Sequence, residues 1–192
     1  LSSKYGVKFR FNEQVKDIHG LDAPIISTNK EDIAFDKVII CAGVKTQEFR
    51  NKFGDNFRIY PVKGYSITID LDDETSRNAA PYVSIKDDNS KIVSSRLGNR
   101  LRVAGTAELA GENKEIRKER ITPLVEWVNS CFPEINTDNF ITWAGLRPMT
   151  SDMVPIMKES KRKNVFYNSG HGHLGWTMAA FAAKFISDLI ED

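Results

Sequence analysis

The sequence lacks most of the features that would assign a function at once. Only two cysteines, Cys41 and Cys131, and three histidines occur among 192 residues, so the sequence predicts neither a disulfide framework nor a metal site. The formal net charge of +1 gives no reason to expect nucleic acid as a partner. No G-x-S-x-G motif is present, which argues against a serine hydrolase.

A long, purely apolar run is also missing. Residues 164–183 carry no charge and are roughly long enough to span a bilayer. However, this stretch contains Asn168, Ser169, three glycines and two histidines. The sequence therefore predicts no transmembrane segment, and the remaining composition, 41% hydrophobic and 28% charged, is that of a globular protein.

The first segment has the pattern of an incomplete α/β domain. The alternation in GVKFRFNEQV predicts a strand over residues 6–15, and PIISTNKEDIAF predicts a hairpin that turns at 29–32. The run from Val38 to Ala42 is continuously apolar, which is typical of a strand buried on both faces of a parallel sheet. Cys41 lies within this run, so we expect it to be a buried, inert thiol.

The middle of the chain predicts an antiparallel sheet with one covered face and one wet face. In FRIYPVKGYSITIDL the apolar residues alternate with polar ones, and the strands YVSIK, KIVSS and LRVAG follow, joined by polar turns. The side chains expected on the covered face of the first strand are Tyr65, Ile67, Ile69 and Leu71.

Helical periodicity appears twice. Between residues 112 and 132, Thr122-Pro123 resembles an N-cap followed by a first-turn proline, which predicts two short helices or one kinked helix. A last helix is predicted over 174–190, after the strand NVFYNSG. The expected core stripes are Ile116, Leu124, Trp127, Val128 and Cys131 in the first region, and Met178, Phe181, Phe185 and Leu189 in the second.

The stretch NSGHGHLGWTMAAFAA, residues 168–183, is the most distinctive in the chain. A helix start leaves about four backbone N–H groups unpaired and carries partial positive charge, and glycines ahead of it let a ligand approach the backbone. The segment therefore predicts a seat for a negatively charged ligand, with a plain strand-to-helix turn as the alternative. His171 and His173 supply at most two metal ligands, because the third histidine, His19, is far away in sequence.

A second constellation is WAGLRPMTSD, residues 143–152. Its arginine, Arg147, stands between a glycine and a proline, and its planar guanidinium matches a carboxylate. The alternative is a structural arginine paired with an acid such as Asp152. In YPVKGYS, Gly64 interrupts a strand, which marks a bulge or a close approach, and Tyr65 is either a hydroxyl donor over a pocket or half-buried sheet surface.

Taken together, YPVKGYSIT, RLRVAGTAEL, TWAGLRPMTSD and NSGHGHLGWTMA resemble the FAD-dependent D-amino acid oxidoreductase superfamily, and within it most closely the bacterial D-amino acid dehydrogenase small subunits. The resemblance covers essentially the whole chain. It implies a mixed α/β (α+β) fold: part of a Rossmann-like FAD-binding domain in residues 1–46 and 150–192, and a substrate-binding antiparallel sheet with helices in 47–149. The G-x-G-x-x-G fingerprint for the FAD pyrophosphate is expected in an N-terminal half that this chain does not include.

The same resemblance implies roles for individual residues. Arg147 would hold the substrate carboxylate, Tyr65 would lie near the amino-acid pocket, and His173 would sit near the flavin edge. The residues implied to bind FAD are Ala42, Gly43, Gly170, His171, Gly172, His173, Leu174, Gly175, Trp176 and Thr177. The family usually has threonine where this chain has His173, and glycine where it has Met153.

The implied reaction is oxidative deamination of a D-amino acid, with hydride passing from Cα to flavin N5. The implied electron acceptor is a quinone, and the implied location is the cytoplasm or the cytoplasmic face of the inner membrane. Two alternatives stay open: an amine oxidase of the same superfamily that acts on glycine or sarcosine, and a non-catalytic remnant without cofactor.

Overall fold

The computed structural model describes residues 2–191, with side chains from residue 4 onward. Within that range the backbone forms eleven strands and four α-helices. The strands are β1 Val15–His19, β2 Ile25–Thr28, β3 Asp32–Ala34, β4 Val38–Ile40, β5 Tyr60–Asp70, β6 Ile85–Asp87, β7 Ile92–Leu97, β8 Arg100–Glu108, β9 Phe140–Met149, β10 Ile156–Glu159 and β11 Val165–Ser169. The helices are α1 Thr46–Phe53, α2 Glu74–Ala79, α3 Lys118–Cys131 and α4 Ala179–Glu191.

The chain divides into two compact units. The first comprises Leu1–Ile59 and Thr150–Asp192, and the second comprises Tyr60–Met149. Residues 47–59 thus group with the first unit, whereas the sequence analysis assigned them to the substrate domain. The reason is local packing, because Phe49 and Phe53 of α1 pack against the core of the first unit.

The first unit contains two three-stranded sheets. One is the antiparallel sheet β1-β2-β3, which confirms the hairpin predicted around residues 29–32. The other has the order β10-β11-β4, and β11 pairs with β4 in parallel, which confirms a parallel strand at residues 38–40. The buried core of this unit consists of Ile18, Val38, Ile40, Phe57, Ile59, Val165 and Tyr167.

Three expectations for the first unit are wrong. Residues 6–14 form no strand, and Phe9 and Phe11 stack on each other in an exposed position, with ring centroids 5.9 Å apart. Strand β4 is covered on one face only: Val38 and Ile40 are buried, but Ile39 is 42% exposed. Cys41, expected to be buried, is exposed as well.

The second unit is built on a five-stranded antiparallel sheet with the order β6-β7-β8-β5-β9. As predicted, Tyr65, Ile67, Ile69 and Leu71 lie on its covered face. There they pack with Leu101 and Val103 of β8 and with α3 residues in one apolar core. The opposite face of the sheet is free of covering helices from this core and carries the polar side chains of β5.

Helix α3 is one continuous helix, so of the two alternatives the pair of short helices is wrong, and Thr122 is not an N-cap. Thr122 lies inside the helix and its hydroxyl donates to the carbonyl of Lys118 (3.1 Å), while Pro123 occupies an interior position. Leu124, Trp127 and Val128 are buried as expected. Ile116 and Cys131, also expected in the stripe, are exposed.

Helix α4 begins five residues later than predicted, at Ala179, and buries a different stripe. Its buried residues are Ala182 and Ile186, whereas Phe181 and Phe185 are exposed and face each other 6.2 Å apart. Small and branched side chains therefore take the positions against the sheet. The part of the chain that the structure describes has no helix of the length and apolarity needed to cross a membrane.

A buried carboxylate closes the first unit. Asp55, just after α1, accepts hydrogen bonds from the Ser160 hydroxyl (2.5 Å), the Tyr167 hydroxyl (2.8 Å) and the Lys161 backbone N–H (2.9 Å). Burial alone raises the pKa of Asp55, but these donors outweigh it and hold the pKa below its ordinary value. The carboxylate thus ties the end of α1 to the turn between β10 and β11.

Asp55→Asn should lower the free energy of unfolding at pH 7 by about 2 kcal/mol, because an amide N–H would face donors. In the parent protein the stability from Asp55 is present above the ordinary Asp pKa of about 4 and is lost as the pH falls through the lower folded value. Urea unfolding between roughly pH 7 and pH 2 measures both effects. The control Asp188→Asn should change the free energy by less than about 0.5 kcal/mol, and an equal loss in both variants would contradict the assignment.

Candidate functional site

In the second unit, the guanidinium of Arg147 lies against strand β5. Arg147 projects from β9 over Gly64 of β5, and a methyl group built on Gly64 would lie 2.2 Å from Arg147 Nη2. Gly64 faces Gly145 of β9 across the ladder. The pair of glycines removes both Cβ atoms from this patch of the sheet, so Arg147 can approach the backbone directly.

A bulge in the neighbouring strand orients this guanidinium. The β5–β8 register passes from Lys63↔Glu108 to Tyr65↔Gly105, which leaves Thr106 and Ala107 opposite Gly64. Thr106 has φ +64°, a left-handed conformation that is unfavourable for a β-branched residue. Its carbonyl accepts a hydrogen bond from Arg147 Nη1 at 3.1 Å. The strained bulge thus turns an acceptor toward Arg147.

Arg147 is a cation without a counter-ion in its own unit. No carboxylate in the described residues 60–149 forms an ion pair with it, and it is half-buried. Burial lowers its pKa, yet an arginine stays charged at any physiological pH. A half-buried guanidinium with free donors is a ready binding position for a carboxylate.

Tyr65 does not lie over a pocket as the sequence analysis expected. It is 1% exposed, and its hydroxyl donates to Glu108 Oε2 at 2.5 Å. Glu108 also pairs with the fully buried Lys63 (3.1 Å) and with Arg117 (2.8 Å). The hydrogen bond from Tyr65 is the main cause that lowers the pKa of Glu108. Tyr65 therefore belongs to a buried network that pins the strands beside the bulge.

In the first unit, the parallel strands β4 and β11 bring two glycine loops together. Tyr167 lies opposite Ile40, so both chains leave the sheet at the same carboxyl edge. The Ser169 hydroxyl donates to the Gly43 carbonyl (3.1 Å) and accepts from the buried Thr46 hydroxyl (2.9 Å). The segment Ala42-Gly43 thus meets the start of the Gly170 loop, and this edge is where open α/β sheets bind their ligands.

Three buried polar atoms at this edge have no hydrogen-bond partner within the described residues. They are Thr150 Oγ1, Asn168 Oδ1 and His171 Nε2. Burial lowers the pKa of His171, which favours a neutral imidazole able to donate or accept one hydrogen bond. Orphaned buried polar groups call for a ligand or water, so the residues present fit a polar cofactor edge.

The loop itself differs from the expected helix start. Residues 172–178 form successive turns, in which Leu174 N–H donates to the His171 carbonyl (3.0 Å) and Met178 N–H to the Leu174 carbonyl (2.9 Å). In the portion that the structure describes, no side chain accepts from the N–H groups of residues 170–177. The Leu174 N–H is thus bonded within the loop and is not available to a ligand, and helix α4 begins only at Ala179.

The glycines of this loop, at 170, 172 and 175, also satisfy the letters of the G-x-G-x-x-G fingerprint, which the sequence analysis placed outside the chain. In that fingerprint the helix opens within the glycines, whereas here α4 begins after them. His173, Leu174 and Thr177 are exposed, and Trp176 is 94% exposed. Within the first unit, this part of the loop is therefore accessible to solvent.

Met153 occupies a position that the resemblance assigns to glycine. Its φ is +62°, which explains why glycine is favoured there, because the left-handed region penalises a Cβ. Met153 follows Asp152, whose carboxylate accepts from the Val154 N–H at 3.1 Å and tightens the turn. The departure is thus a strained, exposed methionine near the start of β10.

Neither unit offers a metal centre among its described residues, because no group of three His, Cys, Asp or Glu side chains converges there. Cys41 lies beside Ile39, Ala183 and Ile186 in an apolar groove of about 350 Å³ between β4 and α4. The apolar surroundings raise the pKa of its thiol, so it is a weak nucleophile at neutral pH.

The fold and these two sites define a mixed α/β protein with a half-buried arginine on an antiparallel sheet and a polar, glycine-lined edge of parallel strands. The family model described as FAD dependent oxidoreductase matches residues 2–189. The chain belongs to this family, which confirms the resemblance and the mixed α/β fold class.

Individual proteins agree with this membership. The chain is 45% identical to D-amino acid dehydrogenase 3 of Mesorhizobium japonicum, over 98% of this chain and 47% of that protein. It is 39% identical to D-amino acid dehydrogenase of Granulibacter bethesdensis, over 96% and 44%. The crystal structure of glycine oxidase from Bacillus cereus has a TM-score of 0.80 at 24% identity, over 93% and 50%. The chain thus spans about half the length of the curated relatives it matches.

Gly64→Ala should weaken carboxylate binding at least about tenfold, because the new methyl group would displace the guanidinium from the Thr106 carbonyl. The affinity of the purified protein for acetate, measured by calorimetry, checks this. Leu97→Ala is the control, since it shortens an exposed side chain at the end of β7 in the same sheet. Equal acetate affinity in the parent and the Gly64 variant would contradict the role of the glycine.

Proposed function

We propose that this chain forms the substrate-binding sheet and part of the flavin-binding domain of an FAD-dependent dehydrogenase that oxidatively deaminates D-amino acids. The observation that carries the proposal is Arg147, a half-buried cation without a carboxylate partner in its unit, held over Gly64 and aimed by a strained bulge. The names of the two relatives, D-amino acid dehydrogenase 3 and D-amino acid dehydrogenase, support the substrate class.

Within this proposal, Arg147 binds the substrate carboxylate with the guanidinium donors that the Thr106 carbonyl leaves free. The half-buried setting excludes part of the competing water and strengthens the charge-assisted bonds. Fixing the carboxylate also fixes the direction of the Cα–H bond relative to the sheet. The substrate amine must lose a proton before oxidation, and the resulting imino acid hydrolyses to a keto acid and ammonia.

The residues at the carboxyl edge of β4 and β11 would hold the cofactor. Thr150, Asn168 and His171 offer unpartnered polar atoms, and the N–H groups of residues 170–177 other than that of Leu174 offer donors to an electron-rich ring edge. When bound, FAD would supply the two-electron acceptor for the hydride that leaves Cα. A methyl group built on Gly43 would meet no atom within 4 Å, which leaves room at this edge.

Binding of the dinucleotide part of FAD requires a further segment of protein. Strand β4 is an edge strand with Ile39 and Cys41 exposed, and the groove between β4 and α4 is apolar. Parallel sheets are normally buried on both faces and both sides. We therefore propose that a segment with the G-x-G-x-x-G fingerprint, from the same gene or from a second chain, packs on this face.

The catalytic proposal is tested with the complete gene product purified with its flavin. Oxygen-free addition of D-alanine should bleach the oxidised-flavin absorbance, and a quinone analogue should restore it. Arg147→Met should lower kcat/KM at least about a hundredfold, since it removes a bidentate charge-assisted contact. Arg100→Met, an exposed arginine of the same sheet, is the control. A flavin that D-alanine does not reduce would contradict the proposal, and peroxide as the main product would favour an oxidase.

The packing proposal is tested by Ala183→Arg, which places a charged side chain in the groove between β4 and α4. The complete protein should then lose most of its FAD on gel filtration, because a buried unpaired charge opposes docking. Lys184→Ala, the next residue along and exposed, should retain the flavin. Equal flavin content in both variants would show that nothing docks in this groove.

A further inference from the structure

The face of the sheet that carries Arg147 carries a second unpaired arginine. Side chains alternate along a strand, so Gly64 and Ser66 of β5 share a face with Arg147, Gly145 and Trp143 of β9. On β8, Arg102 lies opposite Thr68 of β5. Thr68 and Ser66 are two residues apart and therefore share one face of the sheet, so Arg102 belongs to that face as well. Three neighbouring strands thus contribute to one continuous surface within the second unit.

Trp143 forms the middle of this surface. Its ring lies flat on Gly145, where a methyl group would come within 2.1 Å of the indole, and Gly145 faces Gly64 directly across the ladder. The indole therefore lies beside the Arg147 guanidinium, one strand away. The side chain is 55% exposed, so the free part of the ring is accessible to a ligand.

Arg102 also lies beside the indole. Its guanidinium carbon is 5.6 Å from the centre of the Trp143 ring, and its Nη2 donates to the Ser66 hydroxyl at 3.4 Å. Among the described residues, no carboxylate forms an ion pair with Arg102. The ring and the hydroxyl fix the position of the cation while its charge stays uncompensated.

The two guanidinium groups have a spacing that suits one ligand. Arg147 lies on Gly64 and Arg102 lies at Ser66, two residues further along β5, which corresponds to about 7 Å. A cleft of about 300 Å³ opens beside Arg102, lined by Ser66, Thr68, Arg100, Arg102, Ile141 and Trp143, whereas the Arg147 guanidinium lies over Gly64, outside this lining. A short dicarboxylate that bridges two cations at this spacing can lay its carbon chain on the indole.

We propose that Arg102 is a second carboxylate-binding position on this face, so that the site at Arg147 favours dicarboxylic ligands over monocarboxylic ones. The inference rests on the proposed function and narrows its substrate class: D-amino acids with an acidic side chain are preferred, and those with a cationic side chain are disfavoured. Trp143 is the platform between the two carboxylates.

The first experiment measures binding and does not require turnover. Calorimetric titration of the purified protein with glutarate and with butyrate, which share the carbon chain and differ by one carboxylate, should give a glutarate affinity about tenfold higher. Arg102→Leu should abolish this preference and leave butyrate affinity unchanged, and Arg102→Lys should keep part of it. Circular dichroism establishes that the variants are folded.

Arg100→Leu is the matched control, because Arg100 lines the same cleft but lies opposite Asp70, further along β5 from Gly64. It should change the glutarate preference less than threefold. Equal affinity for glutarate and butyrate in the parent protein, or the same loss in both arginine variants, would overturn the inference.

Turnover separates this inference from the proposed function. With the flavin-containing complete protein, Arg102→Leu should lower kcat/KM for D-glutamate about tenfold and leave D-alanine unchanged. If the parent protein does not oxidise D-alanine, the proposed function is wrong. If it oxidises D-alanine but Arg102→Leu does not change the oxidation of D-glutamate, only the second carboxylate-binding position is wrong.

Discussion

The second unit depends on one interaction above all, the placement of the Arg147 guanidinium without a counter-ion in its unit. Arg147 keeps its charge in a half-buried position because the sheet gives it one carbonyl acceptor and a floor without side chains. Thr106 provides the acceptor in a left-handed conformation that costs of order 1 kcal/mol or more. The buried bonds of Glu108 with Tyr65 and Lys63 hold the strands on either side of that bulge. The strained bulge and the buried bonds of Glu108 thus both help to position the Arg147 guanidinium.

In the first unit, the main feature is polar backbone at the carboxyl edge of the parallel strands β4 and β11. Parallel pairing of β4 and β11 directs two glycine loops to one edge, and the hydroxyl chain from Thr46 through Ser169 to Gly43 fastens them. Thr150, Asn168 and His171 each leave a buried polar atom without a partner within the described residues. The chain belongs to the FAD dependent oxidoreductase family, and we propose that the cofactor completes the hydrogen bonding of these atoms.

The sequence predicted an element well where periodicity and burial agree. In β5 every second residue is apolar, and these apolar residues lie on the covered face. It failed where two apolar faces compete: in α4, hydrophobicity favours Phe181 and Phe185, but close packing selects Ala182 and Ile186. Gly64 signalled a close approach, yet only the register of β5 with β9 shows that Arg147 is the group that approaches. Trp143 and Arg102 lie in segments that carry the resemblance, but the sequence did not indicate that they meet, because their contact depends on the order of three strands.

The account is tested most directly by observing the Arg147 guanidinium itself. In arginine-labelled protein, the side-chain N–H resonances of Arg147 are followed by NMR during titration with acetate. The account predicts a saturable shift at Arg147 and slowed rotation of its Nη groups, with little change at Arg96 or Arg77, whose guanidinium groups are bonded to backbone carbonyls. An Arg147 resonance that stays unchanged while acetate saturates the protein elsewhere would contradict the central claim.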